Sequence, residues 1–145
     1  MAHSIEELRP QLILNINDEE LGLLGYLVID RTINGVASGG IRMTSDVTLD
    51  EVANLAREMT LKYGFLNIPC GGAKAGIIAS SSLSIEKRRR ILLSFGKSLS
   101  PLIMNGIYRT GTDMGTFPED IYYIFKGAGK KVNSKAFQDA ESGYY

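Results

Sequence analysis

The chain has 145 residues, 44% of them hydrophobic, and its 16 basic residues balance 16 acidic ones. That length suits one domain with a buried core and is short for two, and the neutral balance leaves no overall electrostatic footprint for nucleic acid or an anionic membrane. A single cysteine, Cys70, excludes an intrachain disulfide, no apolar run precedes the charged opening MAHSIEELRP, and no Cys/His cluster has metal-ligand spacing; a cytoplasmic protein without a metal site is expected.

Gln11 to Asn17 reads as a short strand and Leu21 to Asp30 as a longer, largely apolar one that suits a sheet covered on both faces. Asn34-Gly35 is the commonest hairpin-turn dipeptide, so Val36 to Met43 is expected to return antiparallel to the strand before it. Gly39-Gly40 interrupts that return. Glycine weakens strands, so either a bulge or a close approach of backbone to a ligand is implied. Thr48 and Glu51 match the capping box, in which each side chain satisfies a backbone donor of the other, and a helix starts there. Along it Val52, Leu55, Met59, Lys62 and Leu66 recur at steps of three and four, which puts Lys62 on the apolar stripe, away from Asp50, Asn54, Arg57 and Glu58. An inward lysine has two explanations. Its stem snorkels past Leu66 to water and pairs with Glu58, or it holds an anion in a cleft.

The stretch Ile68 to Ile77, IPCGGAKAGI, reads as a glycine loop with Lys74 unscreened between small residues and free to point into a cleft. A phosphate cradle is disfavoured, because alanine follows Lys74 where GxxxxGK[ST] needs serine or threonine. Cys70 reads as a small packed residue, since the only histidine, His3, is a poor candidate for its base. Ile77 to Ala79 is a strand end, Ser80 to Ser82 a polar connection, and Ser84 the cap of a helix that ends at Ser100-Pro101. Its basic run Lys87 to Arg90 falls opposite Ile85, Leu92, Phe95 and Leu99 and reads as a solvated face. After a short strand, Ile107 to Arg109, comes TGTDMGT with the single acid Asp113. Thr116 to Glu119 forms a second capping box, with Pro118 in the first turn, so Asp113 is delivered just before a helix N-terminus. There the helix dipole favours its charged form, or the carboxylate makes an Asx-turn. From Lys126 periodicity fades, and Gly143-Tyr144-Tyr145 reads like a cut at a linker. The alternating elements imply an α/β domain with a mixed sheet of about five strands and helices on both faces.

GGIRMTSDVTLDEVANLAREMTLK, PCGGAKAGI and TDMGT, in that order and spacing, closely resemble the N-terminal substrate (dimerisation) domain of the glutamate/leucine/phenylalanine/valine dehydrogenase family, over Gly39 to Thr116. The resemblance implies oxidative deamination of an L-amino acid to a 2-oxo acid with hydride passed to NAD or NADP. It makes Lys62 the residue that grips the substrate α-carboxylate, Lys74 the catalytic lysine and Asp113 the acid that moves protons to and from the amino group. Ser38, Gly39, Gly40 and Met59 fall around the substrate. Such a lysine has to be partly neutral to activate water, and burial beside a second cation, Lys62, favours that form. Asp113 has to reach the substrate nitrogen.

Two departures carry weight. Ser38 stands where glutamate-selective members have a lysine for the side-chain carboxylate, so an apolar amino acid is the expected substrate; Ala75 replaces a common glycine with no clear consequence. No GxGxxG occurs anywhere in the chain, so residues 1–145 read as a substrate domain whose dinucleotide-binding partner domain lies elsewhere, inactive alone. The expected partners are an L-amino acid or 2-oxo acid and further copies of the chain, at least a dimer. The competing reading is a standalone dimerisation or ligand-binding module without dehydrogenase activity.

Overall fold

The computed structural model describes residues 9–135, so His3 and the Gly143-Tyr144-Tyr145 end lie outside the described residues. Two strands open it, β1 (Leu12–Asp18) and β2 (Leu23–Ile29), antiparallel with Leu12 opposite Ile29 and Asp18 opposite Leu23. The apolar run of β2 is explained by burial on both faces: Leu23, Leu27 and Ile29 enter one core and Val28 the other.

Asn34 and Gly35 do form a tight turn, with φ of 53° and 75°, and Ile33 pairs with Val36 across it. The expected antiparallel return does not follow. β3 (Ala37–Ser38) and β4 (Ile41–Thr44) instead run parallel to β5 (Gly71–Ile78), and β5 takes the place beside β2. A turn dipeptide fixes local direction; which strand lies alongside is decided by packing. Nor is there a bulge at Gly39-Gly40, because the register against β5 is unbroken, with Ala37 opposite Gly71 and Ile41 opposite Ala75. What glycine allows at position 39 is contact with the neighbouring strand, since a Cβ there would sit 1.6 Å from the Ala73 carbonyl oxygen.

The larger correction concerns IPCGGAKAGI. From Gly71 onward it is a central strand rather than a loop. Small residues give it the composition of a loop for a packing reason. α1 (Leu49–Phe65) lies directly on it: a Cβ at Gly72 would meet the Ala56 carbonyl and the Thr60 nitrogen at 2.2 Å, and one at Gly76 would meet Val52 at 2.7 Å. The Gly72 N–H donates to the Thr60 hydroxyl at 2.9 Å.

α1 begins as expected, with the Thr48 hydroxyl accepting from the Glu51 N–H at 3.2 Å. Its buried line is Val52, Ala56 and Tyr63, whereas Lys62 and Leu66, expected inside, are exposed. The glycines of β5 draw Ala56 down onto the sheet and rotate the helix away from the stripe that periodicity alone favours.

β6 (Tyr108–Arg109) pairs parallel with β3 and completes a six-stranded mixed sheet, order β1-β2-β5-β3-β6 with β4 also beside β5. The opposite face is covered by α2 (Ile85–Ser98), the short α3 (Ser100–Met104) and α4 (Pro118–Ala128), which bury Leu92, Phe95, Leu99, Ile103, Ile121 and Ile124. Ile85, expected on that inner side, is 68% exposed. The basic run is only partly a solvated face. Lys87 and Arg90 are exposed, while Arg88 donates from Nε and a terminal nitrogen to the two oxygens of Asp120, at 2.9 and 2.8 Å, tying α2 to α4.

Asp120 also accepts from the Phe117 N–H at 2.8 Å, so α4 is capped one residue later than Thr116 and Glu119 suggested. Thr116 is occupied elsewhere, in the loop before the helix. α4 continues past Lys126 to Ala128 and stops at Gly129, whose φ is 91°.

Candidate active site

Strand alternation sends Gly72, Lys74 and Gly76 to the face that α1 covers. Lys74 lies opposite Val28 and is only 6% exposed, in place of the open loop position its neighbours implied. Flanking glycines leave its long side chain room along the sheet. Its Nζ ends 3.2 Å from Asp113 Oδ1.

Asp113 reaches this point from the loop after β6. Thr112 makes a parallel bridge to Ile41, and the Thr116 hydroxyl accepts from the Asp113 N–H at 2.9 Å and donates to the Ile41 carbonyl at 2.7 Å. Gly40 is what lets the loop close. A Cβ there would stand 2.5 Å from the Thr112 carbonyl oxygen and 3.0 Å from Asp113 Cβ.

A third group completes the cluster. Ile41 and Met43 turn into the core, so Arg42 between them faces the Lys74 side. Its Nε donates to Asp113 Oδ2 at 2.7 Å, and a terminal nitrogen donates to Glu51 in the first turn of α1. Burial works against ionisation of Asp113. The Arg42 hydrogen bond, the Lys74 charge and the Met114 N–H outweigh it and hold the carboxyl below the usual range. For Arg42, burial is likewise outweighed by Asp113 and Glu51, which raise it further. These contacts stabilise the Asp113 charge where the sequence suggested a helix N-terminus.

Lys62 and Ser38 belong to a second feature, a cavity of about 730 Å³ whose walls include Tyr63, Cys70, Tyr108 and Arg109 and the apolar Leu66, Ile68 and Phe125. That volume is within the range of small-molecule pockets. Arg109 is the register partner of Ser38 across β3 and β6. Lys62 makes no ion pair with any described residue, and Glu58, its suggested partner, does not hold it. Met59 is half-buried on α1. Lys74 and Asp113 do not line this cavity. The link between the two features is the chain itself, since Ser38 is in the cavity wall and Gly40 lies beneath Asp113.

Cys70 Sγ is 3.3 Å from the Gly71 carbonyl, and burial pushes its thiol up despite the nearby Arg109, the wrong direction for a nucleophile. The Tyr63 hydroxyl is buried without a hydrogen-bond partner among the described residues. Also among the described residues, no group of three or more His, Cys, Asp or Glu side chains is arranged to hold a metal ion, and no helix is long and apolar enough to cross a membrane.

Sequence reasoning passed over Arg42, Glu51 and Arg109. The signal for Arg42 was available in Ile41-Arg42-Met43, where an alternating strand has to turn the charge away from the core.

The six-stranded mixed sheet with its covering helices has counterparts among known proteins, and they are amino-acid dehydrogenases. Residues 11–130 match the family model described as Glu/Leu/Phe/Val dehydrogenase, dimerisation domain. The chain belongs to that family. It is 35% identical over 118 residues to a phenylalanine dehydrogenase of Caldalkalibacillus thermarum, covering 79% of this chain and 31% of the relative. With the NAD-specific glutamate dehydrogenase A of Halobacterium salinarum it shares 32% identity over 101 residues, 69% of this chain and 23% of that one. Among solved structures it resembles the hetero-hexameric glutamate dehydrogenase of Thermus thermophilus in its leucine-bound form, with TM-score 0.74, 29% identity, and coverage of 85% of this chain and 32% of that one. The L-tryptophan dehydrogenase of Nostoc punctiforme gives TM-score 0.72 at 25% identity, covering 86% and 37%. The chain thus spans about a third or less of the length of the relatives it matches.

Proposed function

We propose that this chain is the substrate-binding, catalytic-lysine domain of an NAD(P)-dependent L-amino-acid dehydrogenase, with an apolar amino acid favoured over glutamate. The observation that carries the reading is the buried Lys74, its Nζ 3.2 Å from Asp113 on one face of the sheet. A lysine is seldom buried without a task, and this one is paired with the group its chemistry requires.

In this reading the substrate α-carboxylate pairs with Lys62, which forms no ion pair among the described residues, while the main chain at Gly39 and Gly40 approaches a small zwitterion closely. Met59 borders the substrate from α1. Asp113 accepts a proton from the amino group, so the nitrogen lone pair can assist departure of the Cα hydride. NAD or NADP, which a dinucleotide-binding domain would hold, would supply the hydride acceptor. Lys74, as the neutral amine, then takes a proton from water as the oxygen attacks the iminium carbon; Asp113 returns its proton to the nitrogen, and as ammonia departs it carries off the carbinolamine hydroxyl proton as ammonium. The 2-oxo acid remains. Ser38 offers no positive charge to a side-chain carboxylate, and Leu66, Ile68 and Phe125 in the same cavity support the apolar preference, against the charge of Arg109 paired beside Ser38. The protein acts in the cytoplasm as a homo-oligomer, at least a dimer, in keeping with the dimerisation role in the family description.

The test is a panel of L-amino acids assayed for NADH or NADPH formation with this chain and with the polypeptide extended through the reading frame beyond Tyr145. Turnover of leucine, valine or phenylalanine by the extended protein, and none by the 145-residue chain, is expected. An extended protein that carries a dinucleotide-binding domain yet oxidises no amino acid overturns the reading.

A further inference from the structure

We propose that Arg42 is a positioning residue for Asp113: by holding Oδ2 and bracing itself on Glu51, it fixes the carboxylate so that Oδ1 alone is presented to Lys74 and to the substrate nitrogen. The clause about substrate rests on the function proposed above; the clause about Lys74 does not.

Three observations carry this. The first is a division of labour at Asp113. Its main chain is placed by Thr116, through the bond from the Asp113 N–H at 2.9 Å, and its carboxylate is placed by other groups. Arg42 Nε takes one oxygen at 2.7 Å and Lys74 Nζ the other at 3.2 Å. The shorter contact belongs to the stiffer partner, a planar guanidinium whose orientation is set by more than one bond.

The second is the brace. Glu51 sits in the first turn of α1, next to the Thr48 cap, so its backbone belongs to a helix packed along β5. A guanidinium spanning Glu51 and Asp113 links a rigid helix to an irregular loop. A lysine at position 42, with one ammonium, has no such fork.

The third is location. Arg42 is 16% exposed and its register partner on β5 is Gly76, which has no side chain to obstruct it. Arg42 from β4, Lys74 from β5 and the Met114 N–H from the loop itself are the polar groups that face the carboxylate, with Glu51 of α1 behind Arg42.

The experiment is NMR on the 145-residue chain and on R42K and R42Q. It follows Asp113 side-chain three-bond couplings for rotamer and its carboxyl carbon for titration. The unsubstituted chain is expected to show one Asp113 rotamer and a titration midpoint below that of a free aspartate. In R42Q the couplings average over rotamers and the midpoint rises by about one pH unit or more, the scale expected for losing an adjacent Arg. R42K keeps the charge and gives an intermediate midpoint, but the couplings still average. A purely structural role lowers stability and leaves the rotamer single, so a single Asp113 rotamer in whichever variant folds overturns the proposal. Rotamer averaging in the unsubstituted chain overturns it without any variant. Neither readout needs turnover, so a negative amino-acid panel and a negative result here are separate failures.

Discussion

Lys74 and Asp113 are separated in sequence by α2, α3 and β6, yet Nζ and Oδ1 meet at 3.2 Å on the sheet face that α1 covers. In the proposed reaction the pair moves the protons, so neither member tolerates loss of its titratable group. In the extended enzyme, Lys74→Ala and Asp113→Asn are each expected to lower kcat by about 10²-fold or more, the usual scale for loss of a positioned acid or base. Steady-state assays with the best substrate check this. Because the two act in one proton path, the double variant is expected to be little worse than the poorer single.

The depressed Asp113 carboxyl makes a prediction about acid stability. Its folded value is below the ordinary one, so its contribution is complete above the unfolded carboxylate value, about pH 4, and is lost as pH falls through the folded value. Urea midpoints measured from pH 6 downward are expected to fall below about pH 4, and D113N to show a shallower acid limb.

Gly40 ties the site to the fold. Gly40→Ala puts a methyl group 2.5 Å from the Thr112 carbonyl oxygen and forces the loop off Lys74. A stability loss of about 1–3 kcal/mol is expected, read by urea unfolding, together with an Asp113 titration moved up toward the ordinary carboxylate range.

Away from the site, Asp120 serves both the α4 N-terminus and Arg88. Asp120→Ala removes a cap and leaves a partly buried guanidinium short of its partner, a cost of about 2–4 kcal/mol by chemical denaturation. Asp120→Asn, which keeps an acceptor for Phe117, is expected to cost less.

The proposed apolar preference makes a prediction at Ser38. Ser38→Lys places an ammonium at the cavity wall and is expected to raise kcat/KM for glutamate by about tenfold or more in the extended enzyme, while lowering it for leucine. Equal effects on both substrates would remove Ser38 from the specificity argument.

The sequence alone determined the helix starts with local chemistry behind them: Thr48 and Ser84 cap where their side-chain oxygens can reach a backbone N–H within three residues. It also marked Lys74 and Asp113 out, because an unusual residue set among glycines is visible without knowing what lies opposite. It could not tell that Gly71 to Ile78 is a central strand, since glycine and alanine look alike whether they line a loop or make room for a helix 2.2 Å from where a Cβ would be. For the same reason the sequence puts Lys62 on the inward stripe: period 3.6 describes a helix in isolation, and the angle at which α1 presents itself is chosen by the glycines beneath it. That β3 and β4 leave β2 for β5 follows from the folded packing, and that parallel register brings Arg42 and Lys74 to the same carboxylate, Asp113. Local sequence carries propensity and spacing; which distant strand becomes a neighbour is settled by the summed packing of both faces of the sheet, and the contact between Lys74 and Asp113 exists because of that choice.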